Sequence, residues 1–147
     1  MFTLKSNELG GQLNPHNYAE SGNLSPQLYW ENAPEGTQSF AVTMYDLDAP
    51  TGSGFWHWVV FNIPASVTKI AAATAPAGAI ESNTDMGTPG YAGAAPPPGP
   101  AHRYVITVHA LSTRLELGPN TTPAYVGFNL HFTTLAKASL LVYGQKQ

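Results

Sequence analysis

Fourteen glycines and 13 prolines are spread along 147 residues, and this punctuation constrains the fold more than any other feature of the chain. Proline removes a backbone donor and fixes φ, and glycine weakens helix interiors, so long helices have little room to form. The runs between the breaks are short, β-branched and aromatic. Ser39–Tyr45 (SFAVTMY), Trp56–Ile63 (WHWVVFNI) and His102–Leu111 (HRYVITVHAL) are each bounded by Pro, Gly or Asp and read as strands. Phe2–Lys5, Leu28–Trp30 and Lys137–Tyr143 read as weaker strands, and Pro123–Leu135 as the one helix. Lys69–Gly90, rich in Ala, Gly, Thr and Pro, reads as an irregular excursion. No repeat or linker divides the chain. The expectation is a mainly β fold, a sandwich or Greek key with minor helix, as a single domain over residues 1–147.

Charge narrows the function. Six Lys and Arg stand against nine Asp and Glu, a net charge of −3, and the basic residues are scattered from Lys5 to Lys146. A basic face for nucleic acid or for an anionic membrane surface therefore has no electrostatic basis. Cysteine is absent, which removes disulfides, thiolate metal sites and cysteine nucleophiles together. No apolar run reaches the ~18 residues of a membrane span. Met1–Gly10 carries Lys5 and Glu8 without an apolar core, so it does not read as a secretory signal, and the expected location is cytoplasmic.

The polar residues worth following sit at strand ends. Asp46-Leu47-Asp48-Ala49-Pro50 closes one strand and opens a turn that Pro50 terminates. Read alone, its carboxylates are turn formers that accept nearby backbone N–H groups. The next strand opens nine residues after Asp48, with Phe55-Trp56-His57-Trp58, and a hairpin-like return brings His57 toward Asp46. Strict alternation places His57, Val59 and Phe61 on one face and Trp56, Trp58, Val60 and Asn62 on the other. Read alone, His57 is a satisfied core histidine, its pKa lowered by burial and raised by any carboxylate beside it. His102 and Tyr104 share a face of a third strand. Before them runs Pro89–Pro100, whose final prolines favour an extended form and whose Gly90 and Gly93 leave backbone N–H groups open to a ligand. Two strand-start histidines, a strand-end aspartate and a Gly/Pro loop together suggest a pocket. His16, His109 and His131 read as structural or solvated. The His spacing matches no metal motif, and neither a nucleophile elbow nor a phosphate or dinucleotide loop is present; no metal and no cofactor are expected.

Taken in order, Ser25-Pro26-Gln27-Leu28-x-Trp30, Asp46-Leu47-Asp48-Ala49-Pro50, Trp56-His57-Trp58 with Asn62-Ile63-Pro64, Gly90-Tyr91-x-Gly93, Pro96-Pro97-x-Gly99 and His102-Arg103-Tyr104 resemble the phosphatidylethanolamine-binding protein (PEBP) family, also called Raf kinase inhibitor-like proteins, in its short bacterial and archaeal branch. The likeness runs from about Asn23 to Tyr143. It implies a two-sheet β-sandwich with one or two short helices and a small pocket for phosphate, phosphorylethanolamine, acetate and similar anions. By motif the lining is Asp46, His57, Gly93, Ala95, His102 and Tyr104, while Asp48 and Pro50 hold the turn. Asp46 would orient an imidazole or meet a ligand ammonium, and the loop around Gly93 would offer backbone N–H donors. Two positions depart from the pattern: Leu47 stands where proline is usual, and Gly93-Ala94-Ala95 replaces a Gly-Pro-Cys type sequence.

Three functional classes follow. The leading one is a non-enzymatic binding module for a small anionic or phosphorylated ligand. The second, carried by the resemblance, is an inhibitor or regulator of a kinase or protease acting through protein contacts. The third is an enzyme that uses Asp46, His57, His102 and Tyr104 for acid–base chemistry such as dehydration, isomerisation or cyclisation. Low charge and several aromatics permit an apolar interface between copies, and the resemblance implies a homodimer.

Overall fold

A computed structural model describes all 147 residues, Met1–Gln147. Eight strands and one α-helix follow in the order β1 Thr3–Lys5, β2 Leu28–Glu31, β3 Ser39–Asp46, β4 Phe55–Pro64, β5 Lys69–Ile70, β6 Ile80–Glu81, β7 His102–Leu111, α1 Pro123–Thr133 and β8 Thr134–Gly144. They form two antiparallel sheets, a small one in the order β1-β2-β5 and a larger one in the order β6-β4-β3-β7-β8. The three strong apolar runs of the sequence form the centre of the larger sheet. The excursion at 69–90 is less irregular than expected: Lys69–Ile70 pairs with Leu28–Tyr29, and Ile80–Glu81 pairs with Val60–Phe61.

The main core lies between the sheets, as two apolar faces packed to exclude water require. Leu4, Leu28, Trp30 and Ile70 of the small sheet meet Phe40, Val42, Met44, Trp58, Val60, Ile106 and Val108 of the large one. A second cluster covers the outer face at one end, where Val126 and Leu130 of α1 pack with Ala41, Val59, Phe61, Leu111 and Leu115. α1 starts at Pro123, suited to a first helical position, after Thr122, whose hydroxyl accepts the Tyr125 N–H. It stops at Thr133, two residues before the expected end, and the chain enters β8 at once. Its other side presents Tyr125, Phe128 and Phe132 outward.

Two bulges break the alternation expected for β4. Met44 pairs with Trp58 and Tyr45 with Trp56, so His57 is an extra residue with no partner of its own. Trp56 therefore lies on the outer face against Tyr45, with ring centroids 4.2 Å apart, while Trp58 lies in the core. His57 is turned inward toward Tyr104, away from the face of Val59 and Phe61 on which alternation placed it. The second bulge falls between the Val42–Val60 and Phe40–Ile63 pairs, where Asn62 takes a left-handed φ of 56°. It turns Asn62 off the inner face. The Asn62 side chain then accepts the Leu115 N–H at 2.7 Å and donates to the Leu115 carbonyl at 2.8 Å, tying down the loop beneath α1.

Candidate functional site

The register of β3 against β7 assembles the polar centre. Asp46 pairs directly with Tyr104, and His102, two residues along on the same face, becomes its diagonal neighbour, within side-chain reach. The His102 Nδ1–H donates to Asp46 Oδ2 at 2.7 Å. Asp46 Oδ1 accepts the Asp48 N–H at 2.8 Å, so the carboxylate forms the turn and holds the imidazole at once. Asp46 is only 2% exposed, and burial of a carboxylate is tolerable because both oxygens are engaged.

The bulge supplies the second imidazole. His57 Nδ1 lies 2.9 Å from the Ala92 carbonyl oxygen. Its ring sits 4.7 Å from that of Phe55 and 5.5 Å from that of Tyr104. Burial in this aromatic setting holds its pKa below the usual imidazole value, against smaller opposing contributions from the Ala92 carbonyl and Asp46. Tyr104 is fully buried, and its hydroxyl has no hydrogen-bond partner within the protein. Burial first, and the Asp46 carboxylate second, push its pKa up, so it remains a neutral O–H donor.

Asp46, His57, Gly93, Ala95, His102 and Tyr104 all line one cavity of about 710 Å³, open to solvent. Pro50, expected mainly to hold the turn, is also in its wall. Asp48 is not. It faces Arg103, which alternation points away from His102, and accepts from the Arg103 N–H at 2.7 Å, Nε at 3.0 Å and Nη2 at 2.8 Å. Those bonds hold the Asp48 carboxyl down to about 2. They also pin the start of β7 to the β3–β4 loop.

One expectation fails at the loop. The Gly93 N–H is not open to a ligand: it donates to Asn23 Oδ1 at 2.6 Å. The Ala92 and Ala94 amides donate to the carbonyls of His57 and Asn17. Glycine is required at 93 because a Cβ there would come within 2.5 Å of the Ala19 nitrogen. Of these loop amides, that of Ala95 alone is without a protein partner.

Sequence reasoning missed Asn23, Phe55, Met86, Pro96 and Pro97 as parts of the site. Asn23, at a left-handed φ of 56°, clamps the loop by accepting from Gly93 and donating to the Tyr91 carbonyl at 3.2 Å. Its only signal was the Gly22-Asn23 turn dipeptide. Phe55, Met86, Pro96 and Pro97 give the cavity an apolar rim, and no lysine or arginine lines it. No group of three or more His, Cys, Asp or Glu is placed to hold a metal ion, and no helix is long and apolar enough to cross a membrane.

Comparison with known proteins places the chain among relatives. The family model described as phosphatidylethanolamine-binding protein matches residues 3–144. The UPF0098 protein YbhB of Escherichia coli K12 is 46% identical over 151 residues, covering 93% of this chain and 96% of that protein. The UPF0098 protein YbcL of the same organism is 43% identical over 155 residues, covering 95% and 85%. The crystal structure of E. coli YbcL, described as a new member of the mammalian PEBP family, superposes with a TM-score of 0.95 at 41% identity over 99% of both chains. The phosphatidylethanolamine-binding protein from Plasmodium vivax shares the fold at 13% identity, with a TM-score of 0.65 over 99% of this chain and 86% of that one.

Proposed function

This chain belongs to the phosphatidylethanolamine-binding protein family, and from that premise we propose that its cavity is a non-enzymatic binding site for a small anionic or phosphorylated organic molecule. The observation that carries the reading is the set of polar groups left over once the fold's own bonds are made. Both imidazoles have Nδ1 tied back into the protein, and their Nε2 atoms have no protein partner. Beside them are the unpartnered Tyr104 hydroxyl and the free Ala95 amide. All four residues line one cavity, and an oxyanion is held there by whichever of these groups carries a proton.

Size and rim bear on the rest of the ligand. A volume of about 710 Å³ is in the range of small-molecule sites, ~300–1,000 Å³, and exceeds what a bare phosphate fills. Phe55, Met86, Pro96 and Pro97 offer apolar contact to an organic substituent. Without lysine or arginine, affinity for the inorganic ion should be modest, since an ammonium or guanidinium partner is missing.

The test is an NMR titration of the histidine ring resonances with O-phosphorylethanolamine, with inorganic phosphate for comparison. The expected result is that the His57 and His102 signals shift together and saturate, at lower concentration for the ester than for phosphate. His102→Ala should abolish that response while leaving the backbone spectrum of the core intact. Unchanged binding by the variant, or no shift at millimolar ligand, overturns the assignment.

A further inference from the structure

The proton inventory of the cavity extends this reading, and rests on it. The Ala92 carbonyl can only accept, so the hydrogen bond at His57 Nδ1 requires the proton to be on Nδ1. A neutral imidazole carries one proton, which leaves Nε2 bare, an acceptor directed away from that bond. Asp46 Oδ2 imposes the same tautomer on His102. With both rings neutral, the site sets two imidazole lone pairs toward an incoming oxyanion, beside donors such as the Tyr104 hydroxyl and the Ala95 amide. A fully ionised phosphomonoester has nothing but acceptors, so lone pairs would face lone pairs.

The two imidazoles differ in their surroundings. His102 has the buried Asp46 carboxylate in contact at 2.7 Å. His57 has none in contact: it packs between the rings of Phe55 and Tyr104. The groups that face it are Tyr104 and His102 from β7, Asp46 from β3, Asp85 from the loop after β6, and the Ala92 and Gly93 backbone of the Pro89–Pro100 loop. No lysine or arginine is among them, and the two carboxylates favour a cation at this point without touching it. Burial keeps the empty site's His57 neutral at pH 8. A bound oxyanion is the missing contact partner.

We propose that each oxyanion enters this cavity together with one proton, taken from solvent and held on His57 Nε2, so that the occupied site contains an imidazolium with Nδ1–H on the Ala92 carbonyl and Nε2–H on the ligand. The one bond formed is Nε2–H, and the solvent acid that gives the proton is left as its conjugate base. The Ala92 carbonyl thereby becomes a positioning group for recognition: by fixing the tautomer it makes the anion site conditional on protonation.

The experiment is calorimetry at pH 8 in several buffers of different ionisation enthalpy, in which the slope of the observed heat counts protons taken up per ligand. The two probes are O-phosphorylethanolamine and 2-aminoethyl hydrogen sulfate, whose sulfate does not protonate in this range. Expected are an uptake near one for both probes and a dissociation constant that weakens about tenfold from pH 7.5 to 8.5, as one linked proton requires. His57→Gln, whose amide can donate without titrating, should bind with little uptake and a flattened pH profile. In the wild-type protein, the ¹⁵N resonance of His57 Nε2 should move from the bare-nitrogen to the protonated range at saturation, a readout that needs no variant. Binding with zero uptake, uptake with the phosphate ester but not the sulfate, or a ¹⁵N resonance that stays bare overturns the inference and leaves the anion site standing. Absence of both heat and ring shifts removes the anion site, and the proton coupling with it.

Discussion

Asp46→Asn tests the logic of the polar centre at one atom. In the native site Oδ1 accepts the Asp48 N–H and Oδ2 accepts the His102 Nδ1–H. An asparagine has one oxygen and one NH₂, and the Asp48 amide can only donate, so the oxygen must stay on that side. The NH₂ then faces His102 Nδ1, where two donors cannot meet. His102 is forced to move its proton to Nε2 and accept at Nδ1. The opposite amide orientation would set NH₂ against the Asp48 N–H and leave a buried donor unsatisfied, at a cost of about 1–3 kcal/mol. A charge-assisted bond worth about 1.5–3 kcal/mol is thus replaced by a neutral one worth about 0.5–1.5 kcal/mol, for a net loss of about 1–2 kcal/mol. At about 2–4 °C per kcal/mol for a chain of this size, the thermal midpoint should fall by about 2–8 °C. The decisive assay is a long-range ¹H–¹⁵N correlation of the histidine rings at pH 8. In the native protein the protonated nitrogen of neutral His102 is Nδ1; in the variant it should be Nε2, while His57 keeps its tautomer. A His102 proton that remains on Nδ1, or an unchanged midpoint, would refute the argument that the Asp48 amide and the His102 ring each require an acceptor oxygen of Asp46.

Two further substitutions test the frame around it. Gly93→Ala should destabilise by about 1–3 kcal/mol through overpacking against the Ala19 backbone, plus about 0.5–1.5 kcal/mol if the bond to Asn23 is lost; equilibrium urea unfolding measures the sum, and a neutral result would show that the loop has room. His109 gives a pH signature. Burial, and secondarily Lys137 opposite it on β8, hold its pKa down to about 4, against ~6.5 in the unfolded chain. Between those values the unfolded state binds more protons, so stability falls as pH drops from 6.5 toward 4. His109→Leu should flatten the decline in urea midpoint between pH 7 and pH 4.5, with His57, also depressed by burial, accounting for part of the slope that remains. An equal decline in both proteins would count against this.

What could be read in the sequence depended on how local its physical cause was. β3, β4 and β7 were legible to within about a residue because runs such as Phe40–Tyr45 and Val105–Val108 have few alternatives to a half-buried or buried strand. The end of α1 was not, because Thr134, which continues the apolar-polar pattern, turns directly into β8 as its hydroxyl bonds the Leu130 carbonyl. β5 and β6 are two residues each, too short for any periodicity, and exist only because Leu28–Tyr29 and Val60–Phe61 offer free edges. Gly93 was read as an open amide from what glycine permits, but its actual role is set by Asn23, 70 residues away.

The histidines show the same division within a single site. His102 could be placed on a face from its own strand, because β7 runs without a bulge from His102 through Ala110 against β8 and from Tyr104 through Leu111 against β3, and alternation survives wherever register does. His57 could not. Its direction depends on β4 carrying one more residue than β3 between Met44 and Asp46, a mismatch that belongs to the pair of strands and to neither sequence alone. Without the bulge, His57 would share the outer face with Val59 and Phe61, toward the side that α1 covers at the sheet's end, and the cavity would keep the Asp46–His102 pair but lose the imidazole that lacks a counter-charge. Bulges occur next to functional sites because they re-aim a side chain without changing the strand around it. Here the re-aimed chain is the imidazole that has no carboxylate in contact, so the irregularity that escaped the sequence is also what makes the pocket differ from a buried Asp–His pair by itself.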